Sequence, residues 1–329
     1  MTPPRVLFVF VDGVGVGADD RETNPLAALD LPALATLLGG TRPVAGATPS
    51  SPSAAVGGRL LALDACLGVA GLPQSGTGQT TLLTGVNAPA AVGEHQGPYP
   101  TAALKGVLAA ASLFRRLRDA GRPVALANAF PAPYLERAAP GTGRMGAIAR
   151  AAHLAGVRLR GPDDLRAGRA LSAFVTNAGW RERLGHPELP DIDAAAAGRR
   201  LSALAQDHAF TLFEYYATDL AGHHPDRWPP ANALRCLDDL IAGVLATWAP
   251  RDVVVLASDH GNLEDMRVAT HTRNPALGAW CGPAPAVVPA ALTDVAPAIL
   301  AAVLGSDAAD AAPAGPGARP AAAQPSGAV

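Results

Sequence analysis

The sequence predicts an α/β fold, a mostly parallel sheet flanked by helices. Two observations carry this: short continuous apolar runs that suit strands buried on both faces, and helical hydrophobic periodicity between them. The run Val6–Val11 (VLFVFV), bounded by Pro and Gly, reads as the first strand. Residues 124–127 form a second, after a helical stretch at 113–120 that stops at Gly121. Residues 210–216 (FTLFEYY) and Val253–Ala257 (VVVLA) are two more. Between these last two, residues 231–248 place Leu234, Leu237, Leu240, Ile241, Val244 and Leu245 at helical spacing.

At 329 residues the chain has room for one large domain or for a core with an insert. Residues 131–198 carry Pro and Gly breaks, many arginines and little β-branched character. They read as a small, mostly helical cap or insert, with 1–130 and 199–305 as the core. Residues 306–329 are mostly Ala, Pro, Gly and Ser. They lack the apolar surface to offset the entropy of ordering, and disorder is expected there.

Bulk properties exclude several function classes. A net charge of −2 offers no basic surface for nucleic acid and no polybasic membrane patch. No unbroken apolar run approaches the length of a membrane span. The N-terminus reads as a strand rather than a signal peptide. Cys66, Cys236 and Cys281 are far apart and share no ligand spacing, so no disulfide framework is expected and a cytoplasmic location is. Lys105 is the sole lysine, so any phosphate clamp must come from arginine, metal or backbone N–H groups.

Chemistry concentrates where strands end, the edge at which parallel α/β sheets bind ligands. Asp12 follows the first strand and opens the run Asp12-Gly13-Val14-Gly15-Val16-Gly17. A metal-binding carboxylate, a turn carboxylate and a nucleotide loop compete here. The GxGxG spacing, with no dinucleotide-type helix after it, disfavours the last. Asp259 and His260 follow Val253–Ala257, and Gly261 permits the sharp turn that would aim both at one cation. Asp219 follows the 210–216 strand with His223 four residues on, and His271 supplies a third imidazole. Oxygen and imidazole ligands without thiolate suit Mn²⁺, Zn²⁺ or a similar divalent ion. Residues 71–85 (GLPQSGTGQTTLLTG) read as a loop entering a helix, either an ordinary cap or an anion site with a hydroxyl nucleophile.

Taken in order, these pieces resemble the alkaline phosphatase superfamily, in the branch of cofactor-independent phosphoglycerate mutase and phosphopentomutase. The phrases VFVDGVGVG, DLAGHHPD, SDHGNLEDM and HTRNP are similar to that branch's motifs. The resemblance implies one metal held by Asp219, His223 and His271, and another by Asp12, Asp259, His260 and the oxygen of the nucleophile. It places Ser75 on the Ser/Thr nucleophile, with Thr77 as second candidate, and Gln79 where the family usually shows His. It implies a two-metal phosphate-ester hydrolase or phosphomutase that acts through a phosphorylated Ser/Thr on a small phosphorylated metabolite, with neither nucleic acid nor membrane as partner. The larger insert of the phosphoglycerate mutases does not fit in this chain, which points away from that one activity. A catalytically decayed metal-binding protein on the same scaffold is the alternative. Arg137, Arg144 and Arg150 are candidates for a phosphate clamp, against plain solvated surface.

Overall fold

The first strand is apolar at every position, and so it belongs in the middle of a sheet. In the computed structural model, which describes residues 4–47, 57–138 and 143–305, β1 (Val6–Val11) is central and none of its residues is more than 1% exposed. The other strands are β2 (Gly58–Leu63), β3 (Val124–Leu126), β4 (Phe210–Tyr215), β5 (Val253–Ala257) and β6 (Ala276–Cys281). They form one six-stranded sheet in the order β2-β6-β5-β1-β4-β3. β1 pairs in parallel with both β4 and β5, and β3 with β4; β6 runs antiparallel to β5 and β2. The fold is therefore the mostly parallel α/β sheet expected, with one strand reversed.

Strand alternation divides the core in two. Val6, Phe8 and Phe10 point into a cluster covered by the helices Ser75–Thr84, Leu113–Asp119, Ala147–Leu154 and Leu292–Leu304. Leu7, Val9 and Val11 point into the opposite cluster, under Pro32–Leu37, Ala194–Ala205 and Pro230–Leu245. Each fully buried Phe or Leu contributes about 1.5–3 kcal/mol, so the two layers hold the sheet from both sides. Register matters most at the C-terminal ends. Phe10 lies beside Glu214 on β4 and Ala257 on β5, so Asp12 and the segments that follow β4 and β5 leave the sheet at one edge.

Within residues 131–198, expected to be a cap or insert, the helix Ala147–Leu154 packs into the first core layer against Ser75–Thr84 and Ala102–Ala111. The later part has a small cluster of its own: Leu165, Ala170, Trp180 and Leu189 close on Ala129. Asp164 pins this part, accepting from Arg158 at 2.6 and 2.8 Å, Gly161 N–H at 3.1 Å and Arg169 at 3.3 Å. The tail at 306–329 lies outside the described residues. Among the described residues no helix is long and apolar enough to cross a membrane, and all three cysteines are free.

Candidate metal centre

The helix Ser75–Thr84 is buried along its whole length although its residues are mostly polar. Its threonines return their hydroxyls to the preceding turn: Thr80 to Gly76 O at 2.6 Å, Thr81 to Thr77 O at 2.9 Å and Thr84 to Thr80 O at 2.7 Å. Satisfied in this way, they can be buried without an unpaired donor. A Cβ at Gly78 would lie 2.7 Å from Asp259 O, so glycine there lets the helix press against the loop after β5. This contact brings Ser75, the first residue of the helix, to the strand ends.

Ser75 Oγ lies 3.0 Å from His260 Nε2. His260 Nε2 is in turn 3.5 Å from Asp12 Oδ1 and 3.6 Å from Asp259 Oδ2. Gln79 Nε2 donates to Asp12 at 3.3 Å and to Asp259 at 3.1 Å, and so bridges the two carboxylates. The residue read as a departure from the family motif therefore has a defined place between two acids. Thr77, the second nucleophile candidate, is not brought to the ligands. Its hydroxyl donates to Gln74 O and Gln96 O at 3.1 and 3.4 Å and accepts from Gln96 N–H at 3.2 Å, which closes the loop before the helix.

Beside this group stand Asp219, His223 and His271. His223 Nε2 and His271 Nε2 are 3.1 Å apart, and they lie 3.5 and 3.8 Å from Asp219 Oδ1. Asn262 Nδ2 donates to the same oxygen at 2.7 Å. Asp219, His260 and His271 can bring ligand atoms within 4.8 Å of one another, and so can Asp12, Asp259 and His260. His260 thus joins the two sets, and its ring stacks on His271 at 3.7 Å. All seven residues singled out as ligands converge at one sheet edge.

The donor chemistry fits divalent cations. His223 Nδ1 is 2.9 Å from Ala269 O and His271 Nδ1 is 2.7 Å from Pro73 O. A carbonyl only accepts, so both Nδ1 atoms carry hydrogen and both Nε2 atoms present lone pairs. Two lone pairs facing each other at 3.1 Å repel unless a cation lies on their common side. Asp12 Oδ1 is buried and has no hydrogen-bond partner, which is costly for a carboxylate without a cation. Burial, then the charge of Asp259, holds the Asp12 carboxyl well above its usual range. Burial and then Asp219 push Asp259 up to about 7. Burial, then His271, pushes His260 down to about 3, so this ring stays a neutral donor. A cation would reverse the carboxylate shifts and keep the imidazole neutral.

Glu264 ties the ligand loops together, a role that sequence reasoning did not assign although the residue lies within the SDHGNLEDM phrase. Its carboxylate accepts from Gly15 N–H and Asn262 N–H, both at 2.8 Å, from Asn274 Nδ2 at 3.0 Å, and from the Thr272 hydroxyl. Four donors, one from the connection after β1 and three from that between β5 and β6, thus meet one buried acid. The glycine run after Asp12 serves the same packing. Gly13 has φ +66° and a Cβ there would strike Asp219 Oδ1 at 2.4 Å, while one at Gly15 would strike Glu264 at 2.4 Å. Glu264→Gln turns one acceptor oxygen into a donor facing donors. It is expected to cost about 1–3 kcal/mol of stability and to weaken Mn²⁺ binding about 10- to 100-fold, measured by thermal unfolding and calorimetric titration. Unchanged metal affinity would rule out an orienting role.

Residues 190–302 match the family model described as the metalloenzyme superfamily. The matched segment contains Asp219, His223, Asp259, His260 and His271, while Asp12 and Ser75 lie outside it and reach the same sheet edge through the fold. Among solved structures, the chain is similar to the PH0037 protein from Pyrococcus horikoshii, with 12% identity, 92% of this chain and 97% of that chain covered, and a TM-score of 0.55. It is also similar to the alkaline phosphatase of the Antarctic bacterium TAB5, with 12% identity, 92% and 99% covered, and a TM-score of 0.50. At such identities the likeness is one of fold, and the fold is alkaline phosphatase-like. No curated protein matches the chain in sequence.

Proposed function

We propose that the protein is a two-metal phosphoesterase that transfers a phosphoryl group from a small organic ester to Ser75 and then to water. One observation carries this reading. A helix-terminal hydroxyl, Ser75 Oγ, stands 3.0 Å from the imidazole that joins two cation-ligand sets. Asp12, Asp259, His260 and Ser75 would hold one divalent ion, and Asp219, His223 and His271 the other. Together the ions would supply positive charge that favours the ionised serine and neutralises the phosphoryl oxygens.

The residues divide the remaining work. Ser75 Oγ, having given its proton to solvent, forms the bond to phosphorus while the bond to the alcohol oxygen breaks, and the leaving alkoxide takes a proton from water. The N-terminal end of the helix Ser75–Thr84 favours the anion held against it. Water then attacks the phosphoserine, releasing phosphate and restoring the hydroxyl. Gln79 holds Asp12 and Asp259 in register throughout. The part of residues 131–198 around Trp180 would act as a cap, a reading supported by Trp180 in the cavity lining.

Hydrolysis is preferred over intramolecular transfer because the cavity beside Ser75 opens to solvent, so water can reach a phosphoserine there. Protein loaded with Mn²⁺ or Zn²⁺ is expected to release phosphate from alkyl phosphates, and to do so no longer after chelation. Tight metal binding with no turnover on any phosphate ester would favour the non-catalytic alternative and sink this reading.

A further inference from the structure

The chain is poor in aromatic residues, yet they gather in one place. It has 4 Tyr, 4 Trp and 7 Phe. All four tyrosines, with Trp180, Trp228, Phe130 and Phe174, line the cavity into which Asp12, Ser75 and Asp219 open. The core layers take Phe8, Phe10, Phe114, Phe210, Phe213 and Trp280, so the eight rings at the cavity are still over half of the fifteen in the chain. Concentration of rings around one concavity next to a reactive hydroxyl is the pattern of a small-molecule site.

The rings are ordered into two walls. Phe130 and Tyr134 stack at 4.7 Å and 16°. Elsewhere in the lining Phe174 stacks on Trp228 at 5.3 Å and 15°, and meets Tyr216 edge-on at 5.1 Å. Glu214, at the end of β4, reaches both walls. Its charge adds to burial in raising the hydroxyl pKa of Tyr134, and does the same for Tyr216, which stands at about 12. Among the described residues its own carboxyl has no hydrogen-bond or ion-pair partner. Arg183 and Arg227 lie over the Trp228 ring at 5.7 and 6.0 Å from its centroid.

These features select among occupants. An acyl chain would leave the half-buried Glu214 carboxyl without a partner. A quaternary ammonium would meet two guanidinium charges at the wall best suited to hold it. A flat ring with polar edges satisfies both sets, its faces on the aromatic walls and its edge donors towards Glu214. At about 1010 Å³ the space exceeds what phosphate and a short carbon chain require.

We infer that this cavity receives the alcohol portion of the substrate as a planar, hydrogen-bonding ring, so the substrate is a phosphate ester of a heteroaromatic alcohol. The inference rests on the phosphoesterase reading for the ester and on the cavity for the ring. The arginines that line this cavity are Arg183 and Arg227; the three phosphate-clamp candidates stand elsewhere. Arg150 is buried and donates to Gly143 O, Arg137 is exposed, and Arg144 lies over Tyr99, 5.2 Å from its centroid.

The test compares esters of primary alcohols on the Mn²⁺-loaded protein: 2-(indol-3-yl)ethyl phosphate, n-butyl phosphate, n-decyl phosphate and choline phosphate. The indolyl ester is expected to exceed n-butyl phosphate in kcat/KM by about tenfold or more. Trp228→Ala, and separately Phe130→Leu, should bring that ratio towards one. Equal values for the indolyl and butyl esters overturn the inference, and so does a preference for the decyl or choline ester. Calorimetry with the free alcohol 2-(indol-3-yl)ethanol needs neither metal nor turnover. If no ester is cleaved, saturable binding that Trp228→Ala weakens upholds the ring site while the phosphoesterase reading falls, and absence of binding overturns both. Cleavage without ring preference removes only the ring site.

Discussion

Ser75→Ala is expected to lower kcat/KM towards an alkyl phosphate by about 10³-fold or more, because the phosphoryl group then has no covalent acceptor. The fold should not notice the change. Ser75 is the first residue inside its helix rather than the cap, and among the described residues its hydroxyl bonds only to the His260 ring. Alanine is also the better helix former. The three protein ligands Asp12, Asp259 and His260 remain, so bound metal should persist at a reduced affinity. Thr77→Val supplies the contrast. Its hydroxyl serves Gln74 O, Gln96 O and Gln96 N–H, so that variant should lose stability while the nucleophile stays in place. Acid quenching during turnover should trap phosphate on the peptide that holds Ser75. A Ser75→Ala protein that turns over at the wild-type rate would remove the covalent step from the proposal.

What the sequence disclosed follows the physics of each signal. β1 and β5 are continuous β-branched and aromatic runs, and their bounds agree with the reading. β6 (ALGAWC) has no β-branched residue and β2 (GRLLAL) is half exposed, so neither departs from background until pairing with β5 defines them. The seven ligand candidates were legible because each follows a strand or sits in a compact motif. Their support was not. Glu264 collects donors from Gly15, Asn262, Thr272 and Asn274, and a convergence from separate loops has no linear signature. Gln79 read as a missing histidine, and only the approach of Asp12 and Asp259 shows what an amide does between them. Arginines carry no sign of the face they occupy, so nothing in the sequence singled out Arg183 and Arg227 for this cavity. The aromatic cavity was equally silent, since its rings come from segments as distant as Tyr99 and Trp228.

Removing metal is expected to abolish turnover, and the affinity with which metal returns should depend on pH in a direction that the buried acids set. In the stripped protein Asp259 titrates near 7, raised by burial and by Asp219, and Asp12 also lies above its usual range. Metal binds the carboxylate, so below the Asp259 pKa each binding event must displace a proton. With one such group, affinity should fall about tenfold from pH 8 to pH 6 and level off above pH 8, a change of about 1.4 kcal/mol. His260, held at about 3, stays neutral across this window and does not oppose the trend. Stability of the stripped protein moves the other way. A carboxyl raised from 3.8 to about 7 favours the folded state below the unfolded pKa, and that contribution is lost as pH rises through 7. The Tm gap between Mn²⁺-loaded and stripped protein should therefore widen from pH 6 to pH 8. A gap that stays constant or narrows would mean that Asp259 and Asp12 are not what the cation binds. The two acids would then have to share their burial with some other positive group.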